Sequence, residues 1–250
     1  MIENKNYLFI HVPRTAGSSL GYVLHTALNG NRIYDIHSSF SELENTCPKR
    51  VKNKFKFGFV RNPFEREFSQ WLYHAYKPEF LVTPTFEEWI TWRYSDYKMP
   101  KSFIAKGHDA YNYLKQFSVL PQIGFFLDKE NNYKLDFLGN FESREKDLDF
   151  IFSKIYPGYN WREEYPHEEG QRNRAIECKD YKDHYTLLGK EIIEKAYSVD
   201  LKALGYCFDQ REPSVYNSLD LSNVDDYSFN SSDLIGEDAS SIYNYRAKNL

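Results

Sequence analysis

The chain has 250 residues, 41% hydrophobic and 18% aromatic, with a formal net charge of −4, a length that holds one full α/β domain and some extra at one end. Residues 211–250 carry three basic and seven acidic side chains, so the body up to Gln210 has 29 of each sign and is neutral, which excludes a broad nucleic-acid-binding face but permits a local basic pocket. Three separated cysteines (Cys47, Cys178, Cys207) exclude a disulfide framework or a paired-cysteine zinc site, and with no leader and no long apolar run the expectation is a soluble, cytoplasmic protein without a membrane span.

Residues 7–12 (YLFIHV) form an apolar run that ends in Pro13 and a small-residue turn, Arg14-Thr15-Ala16-Gly17-Ser18-Ser19. Leu20, Val23, Leu24 and Ala27 follow at helical spacing, so the stretch reads as strand, tight loop, helix. Such a loop aims backbone N–H groups and the positive end of a helix at one point, where phosphate-like anions bind. Ser18 and Ser19 are placed to cap the helix and to donate hydroxyl hydrogen bonds, and Arg14 adds a fixed positive charge. The GxxxxGK[ST] pattern is absent, so this is not a Walker loop.

After a turn at Asn29-Gly30-Asn31, residues 32–36 (RIYDI) read as a second strand, with His37 just past its end. Ligands of open parallel sheets bind at the carboxyl ends of strands, which is where His37 would lie; its other reading is a surface-loop residue. Ser38-Ser39 is a cap for a short helix over residues 40–44. The basic stretch 48–56 reads as a solvated face and leads into a strand at 55–60 (FKFGFV). That strand ends in Arg61-Asn62-Pro63, and a helix starts near Phe64 with Phe64, Phe68, Leu72 and Ala75 as its buried stripe. Arg66, Ser69 and Tyr73 fall on another stripe. Two arginines, Arg61 and Arg66, converging with the Ser69 hydroxyl suit a second anion site; otherwise Arg66 pairs with Glu65, Glu67 or another acid.

Residues 78–84 are a loop, and Thr85 to Glu88 is a capping box that opens a helix to about Tyr94. Residues 95–109 read as an irregular surface segment bordering a cleft, and 110–117 as weakly helical. A strand at 136–141 runs into Glu142-Ser143, and Leu148, Ile151, Phe152 and Ile155 mark an amphipathic helix. Leu188, Ile192, Ala196 and Val199 supply the apolar face of a closing helix. Residues 211–250 hold 13 Ser or Asn and show no period, which predicts a poorly ordered acidic tail after a domain over 1–210. The abundant aromatic residues have two readings, a codon-level bias or stacking platforms for a planar or sugar-like ligand.

HVPRTAGSSL closely resembles the 5′-phosphosulfate loop of sulfotransferases, usually PKTAGTS or PKTGTT. FVRNPFEREFSQW resembles their 3′-phosphate motif, typically FVRNPYDRLVSAY, with the spacing from Arg61 to Ser69 kept. Two such motifs in family order are much more specific than either alone. Further on, Leu120-Pro121-Gln122 and FLGNFES resemble the carbohydrate-type, membrane-associated branch. Tyr165-Pro166-His167 is similar to the start of a PHxNxS segment, with Glu169 and Gln171 where Asn and Ser are usual. IYDIHSSFSEL resembles the heparan-sulfate-type region that carries a catalytic His, and residues 180–208 resemble the family's closing helix and aromatic tail.

The resemblance implies an α/β, P-loop-like three-layer sandwich, with a central, mostly parallel sheet flanked by helices. It implies transfer of a sulfuryl group from 3′-phosphoadenosine-5′-phosphosulfate (PAPS) to a hydroxyl of a carbohydrate or small-molecule acceptor, leaving 3′-phosphoadenosine-5′-phosphate (PAP), with no metal. Arg14, Thr15, Ala16, Gly17, Ser18 and Ser19 would cradle the 5′ group, and Arg61 and Ser69 would hold the 3′-phosphate. His37 would be the base, with Glu142 the alternative and His11 structural, and Arg14 stands where the family usually has Lys. Golgi members of the family carry a membrane anchor, which this sequence lacks. Two other classes remain: a P-loop-type small-molecule kinase, for which neither the Walker Lys nor a carboxylate cluster for Mg²⁺ is evident, and a non-catalytic PAP- or nucleotide-binding protein. PAP retention over ATP separates off the first, and turnover of PAPS the second.

Overall fold

Two apolar runs with little polar alternation, YLFI and FGFV, are what strands covered on both faces look like, and they lie at the centre of the sheet. A computed structural model describes residues 1–33, 37–74, 81–94, 121–164 and 180–210. Among these, five strands form one sheet: β1 (Ile2–Glu3), β2 (Tyr7–Ile10), β3 (Asn31–Arg32), β4 (Phe55–Val60) and β5 (Phe137–Asn140), in spatial order β3-β1-β2-β4-β5. β2, β4 and β5 are parallel neighbours, with Phe9 opposite Phe57 and Phe57 opposite Phe137. β1 is antiparallel to both β2 and β3, so β3 runs in the direction of β2. The second strand begins at Asn31 and, among the described residues, sits at the edge of the sheet; residues 34–36 of its predicted span lie outside the described residues. So do the irregular 95–109 segment, the weak helix at 110–117, the Tyr165-Pro166-His167 stretch and the tail.

Alternation along the strands loads two layers. Leu8, Ile10, Val60 and Leu138 face Phe40 and Leu43 of α2 (Phe40–Thr46), together with Ile123, Phe126 and Leu204. Tyr7, Phe9, Phe57, Phe59 and Phe137 face Leu20 of α1 (Gly17–Tyr22) and Leu148, Ile151, Phe152 and Ile155. That makes a three-layer α/β sandwich, and each of these fully buried large apolar side chains contributes about 1.5–3 kcal/mol. A third, largely aromatic cluster lies between α3 (Pro63–His74) and α4 (Phe86–Tyr94), where Phe64, Phe68, Trp71, Trp89 and Ile90 meet Ile193 and Tyr197. Phe64, Phe86 and Phe208 each pack edge-on against Tyr185. Many of the rings therefore pack on one another in the core.

The predicted capping box at Thr85 forms, and the predicted cap at Ser39 proves to be a capping box as well. Glu42 N donates to Ser39 Oγ at 3.3 Å while Ser39 N donates to Glu42 Oε2, and Thr85 N donates to Glu88 Oε2 at 2.8 Å. The helix after β5 is α5 (Arg144–Ile155), its four predicted apolar residues all buried, and a short α6 (Trp161–Glu164) follows. The closing helix differs from expectation. It breaks into α7 (Leu187–Ala196) and α8 (Ser198–Leu204), and its inward residues are Gly189, Ile193, Tyr197 and Asp200, while Leu188 is 49% exposed. Gly189 faces α4, where a Cβ would make only an ordinary contact with Ile90 Cδ1 at 3.5 Å. The aromatic tail is not a strand; Gly205, at φ 68°, ends α8 and turns Tyr206 inward. In the basic stretch, Lys49 and Lys52 are exposed, but Arg50 and Lys54 pair with Glu3 and Lys56 with Asp136. Among the described residues no helix is long and apolar enough to cross a membrane.

Candidate active site

β2 delivers the chain at His11 into a loop whose shape depends on two non-glycine residues in the left-handed region, Arg14 (φ 68°) and Ala16 (φ 65°). Such conformations cost on the order of 1–2 kcal/mol each, and the surroundings hold them. Thr15 is buried, and its hydroxyl donates to Val12 O at 2.9 Å. Arg66, buried on α3, donates from Nε to Pro13 O at 3.1 Å. Gly17 lies against the His11 ring so closely that a Cβ would come within 1.8 Å of Cδ2 and Nε2. Ala16 occupies the N-cap position of α1 and no side chain caps the helix. The expected capping by Ser18 and Ser19 is therefore corrected: they sit inside the first turn, Ser18 exposed and Ser19 half-buried, where N–H groups have no intrahelical acceptor.

The two motifs meet. Arg14 donates from Nε and Nη2 to Ser69 Oγ at 3.2 and 2.9 Å, and its guanidinium lies 4.5 Å from the centre of the Tyr73 ring. Arg61 donates from Nη1 to Arg14 O at 3.3 Å and from Nη2 to Glu65 at 2.9 Å, and packs 4.0 Å over Phe141. Its Nε is buried with no hydrogen-bond partner. Burial, and then the neighbouring Arg61, push Arg14 down to about 10, against an opposing pull from Tyr73, so it stays cationic at neutral pH. Arg14, Thr15, Ala16, Gly17, Ser18, Ser19, Arg61 and Ser69 thus come from two segments that the bonds of Arg14 to Ser69 and of Arg61 to Arg14 O join. Arg66, counted with the second anion site from its helical stripe, instead holds up the loop; the acid partner of the motif is Glu65, and it pairs with Arg61.

His37 joins these segments from the edge of the sheet. Its ring lies 4.5 Å from that of His11, and Nδ1 is 3.2 Å from His11 O. A carbonyl only accepts, so Nδ1 carries the hydrogen and Nε2 the lone pair. Burial, with the nearby Arg66 and Arg14, lowers His37 to about 4 despite that hydrogen bond. Burial and His37 likewise hold His11 well below the usual imidazole range. Both rings are neutral at pH 7. Glu142, the alternative base, is committed elsewhere: it accepts from Asn62 N at 2.7 Å and from the Tyr206 hydroxyl at 2.9 Å.

Three carboxylates, Glu44, Asp128 and Glu130, come within 4.8 Å of one another, a grouping not evident from the sequence. Lys134 sits 2.6 Å from Asp128, which also accepts from the backbone of Glu130 and Asn132. The sequence placed Arg66 with the second anion site and marked Gln122 only through the Leu120-Pro121-Gln122 resemblance; the support that Arg66 gives to Pro13 O and that Gln122 gives to Arg61 was not foreseen.

A model of the sulfotransferase family matches residues 1–206. Carbohydrate sulfotransferase 10 of Homo sapiens and of Pongo abelii are each 48% identical to this chain over 52 residues, 21% of this chain. The matched stretch spans only 13% of the length of those relatives. Among solved structures, mouse sulfotransferase SULT7A1 complexed with PAP is similar at 12% identity and a TM-score of 0.44, over 80% of this chain and 86% of that one.

Proposed function

The chain belongs to the sulfotransferase family, and from that premise and the geometry above we propose that it transfers the sulfuryl group of PAPS to a hydroxyl of a carbohydrate acceptor. One observation carries the proposal: Arg14 and Arg61, from motifs far apart in sequence, converge with Ser69. Their combined charge suits a nucleotide phosphorylated at both ends. The donor supplies an activated sulfuryl group, and the chain's task is positioning and charge stabilisation.

The first-turn N–H groups of α1 and the Ser18 and Ser19 hydroxyls hold the 5′ end. Arg14 neutralises the charge that develops on the oxygen between phosphorus and sulfur as its bond to sulfur breaks, PAP leaves and sulfur bonds to the acceptor oxygen. Arg61 and Ser69 hold the 3′-phosphate, and the buried, unpartnered Arg61 Nε is a donor placed to meet an anion. His37 takes the acceptor's proton on Nε2, since Nδ1 is occupied by His11 O. The carbohydrate acceptor is favoured by the likeness to carbohydrate sulfotransferase 10.

The test is incubation of the purified chain with ³⁵S-labelled PAPS and a panel of sugars, phenols and lipids. Label on a sugar hydroxyl and release of PAP are expected. Label on phenols alone would overturn the acceptor class, and tight binding of PAP with no turnover on any acceptor would point to a binding module.

A further inference from the structure

The sheet's own hydrogen bonding runs out where Arg61 begins. β5 follows β4 to its end, with Phe141 N donating to Val60 O at 2.8 Å. On the other side β2 stays in register only to Ile10, opposite Gly58, and then departs into the anion loop. The N–H and C=O of Arg61 are left without a strand partner. Gln122 takes both: Arg61 N donates to Gln122 Oε1 at 2.9 Å, and Gln122 Nε2 donates to Arg61 O at 2.8 Å. A carboxamide is the one side chain that imitates a peptide group in this way, offering one acceptor and one donor side by side.

Gln122 is fully buried and is itself fixed from a third element. Its N–H donates to Asp200 Oδ2 at 2.7 Å, Nε2 lies 3.4 Å from the same oxygen, and Ile123 N donates to Asp200 Oδ1 at 3.0 Å. Asp200, on α8, is also fully buried. A chain of contacts therefore runs from α8 through the Pro121-Gln122 turn to the main chain of Arg61, whose side chain reaches the carbonyl of Arg14.

We propose that Gln122 is the positioning residue of the 3′-phosphate anchor: by clamping both main-chain polar groups of Arg61, it holds the guanidinium where a 3′-phosphate is bound. This rests on the function proposed above. The Gln122 side chain is fully buried and bonds the main chain of Arg61, so its effect on the anchor passes through Arg61. Glu in its place offers no donor to Arg61 O and sets a second carboxylate beside Asp200; Leu leaves two buried main-chain groups unpaired.

The experiment is calorimetric titration of PAP and of adenosine 5′-phosphate, which lacks the 3′-phosphate, into wild type, Gln122→Glu, Gln122→Leu, Arg61→Ala and Arg61→Ala/Gln122→Leu. Circular dichroism and thermal melting are recorded on each, and Asp200→Asn stands in should both Gln122 variants fail to fold. Wild type is expected to prefer PAP, and each Gln122 variant to lose PAP affinity by roughly 5- to 100-fold, the range for an unpaired buried polar group. Adenosine 5′-phosphate affinity should change less than about twofold, a difference too small to be a lost contact. In the Arg61→Ala background, Gln122→Leu should cost little more, since both changes disable one anchor. Equal losses for the two nucleotides, an unchanged PAP affinity, or additive losses in the double variant would overturn the positioning role. A wild type indifferent to the 3′-phosphate would instead overturn the functional assignment, and the positioning role with it.

Discussion

At the scale of single residues the site is a meeting of charges placed by main-chain constraints. His37 is the sharpest case, because its neighbours decide both its charge and its tautomer. With its value lowered to about 4, the fold binds it neutral. Its contribution to stability is complete above the ordinary histidine value of about 6.5 and is lost as pH falls from there toward 4. The kinetic consequence has the same sign. kcat/KM should hold level through neutral pH and fall as His37 of the free enzyme protonates near 4, whereas bound anions favour the imidazolium and move the acid limb of kcat upward. His37→Ala should lower kcat by about 10²–10⁴ with PAP affinity unchanged, and should remove that limb. A pH–rate series on both proteins checks this; a limb that survives the substitution assigns the base to another group.

At the scale of elements, what the sequence disclosed depended on how local the cause was. The strand–loop–helix, the Thr85 capping box, the cap at Ser39 and the α5 stripe follow from local spacings, and all are present. The contact of Arg66 with Pro13 and the grip of Gln122 on Arg61 join residues with no sequence relation and were not legible. Of the predicted face of the closing helix, Ile192 and Ala196 pack against the aromatic cluster, while Leu188 is exposed and Ile193 is the fully buried position. Two element-level predictions follow from such contacts. Gly17→Ala would drive a methyl into His11, whose ring is held between Phe9 at 5.6 Å and His37 at 4.5 Å. PAP affinity should fall at least tenfold, read by calorimetry, because the ring cannot yield without moving the loop. Glu67 joins α3 to α4: it pairs with buried Arg93 at 3.0 Å and accepts from Trp89 Nε1 at 2.7 Å and the Tyr94 hydroxyl at 2.6 Å. Glu67→Gln leaves a buried guanidinium uncompensated and should cost about 3–5 kcal/mol in urea unfolding; a loss under 1 kcal/mol would show the pair to be dispensable.

At the scale of the whole molecule, the three layers and the aromatic cluster close on α3, and the end of the described chain supplies the last stitches. Asn62, which caps α3 by accepting from Phe64 N at 3.0 Å, donates from Nδ2 to Cys207 O at 3.0 Å and to Gln210 O at 2.9 Å. The Tyr181 hydroxyl donates to Phe208 O. Residues 207–210 therefore brace the turn that carries Arg61. A chain cut after Gln210 keeps all of these bonds, and residues 211–250 have no periodic apolar face to add to the core. It should melt cooperatively and bind PAP within about twofold of the full chain, a difference too small to be a lost contact. A chain cut after Gly205 loses the partners of Asn62 and the Tyr206 hydroxyl that donates to Glu142. Buried polar groups left unpaired cost about 1–3 kcal/mol each, so this shorter chain should melt earlier and bind PAP more weakly. Melting curves and PAP titrations on the two truncations decide it. Equal behaviour would mean the terminal stitches are idle, and a 1–210 chain that fails to melt cooperatively would place part of the fold in the last forty residues.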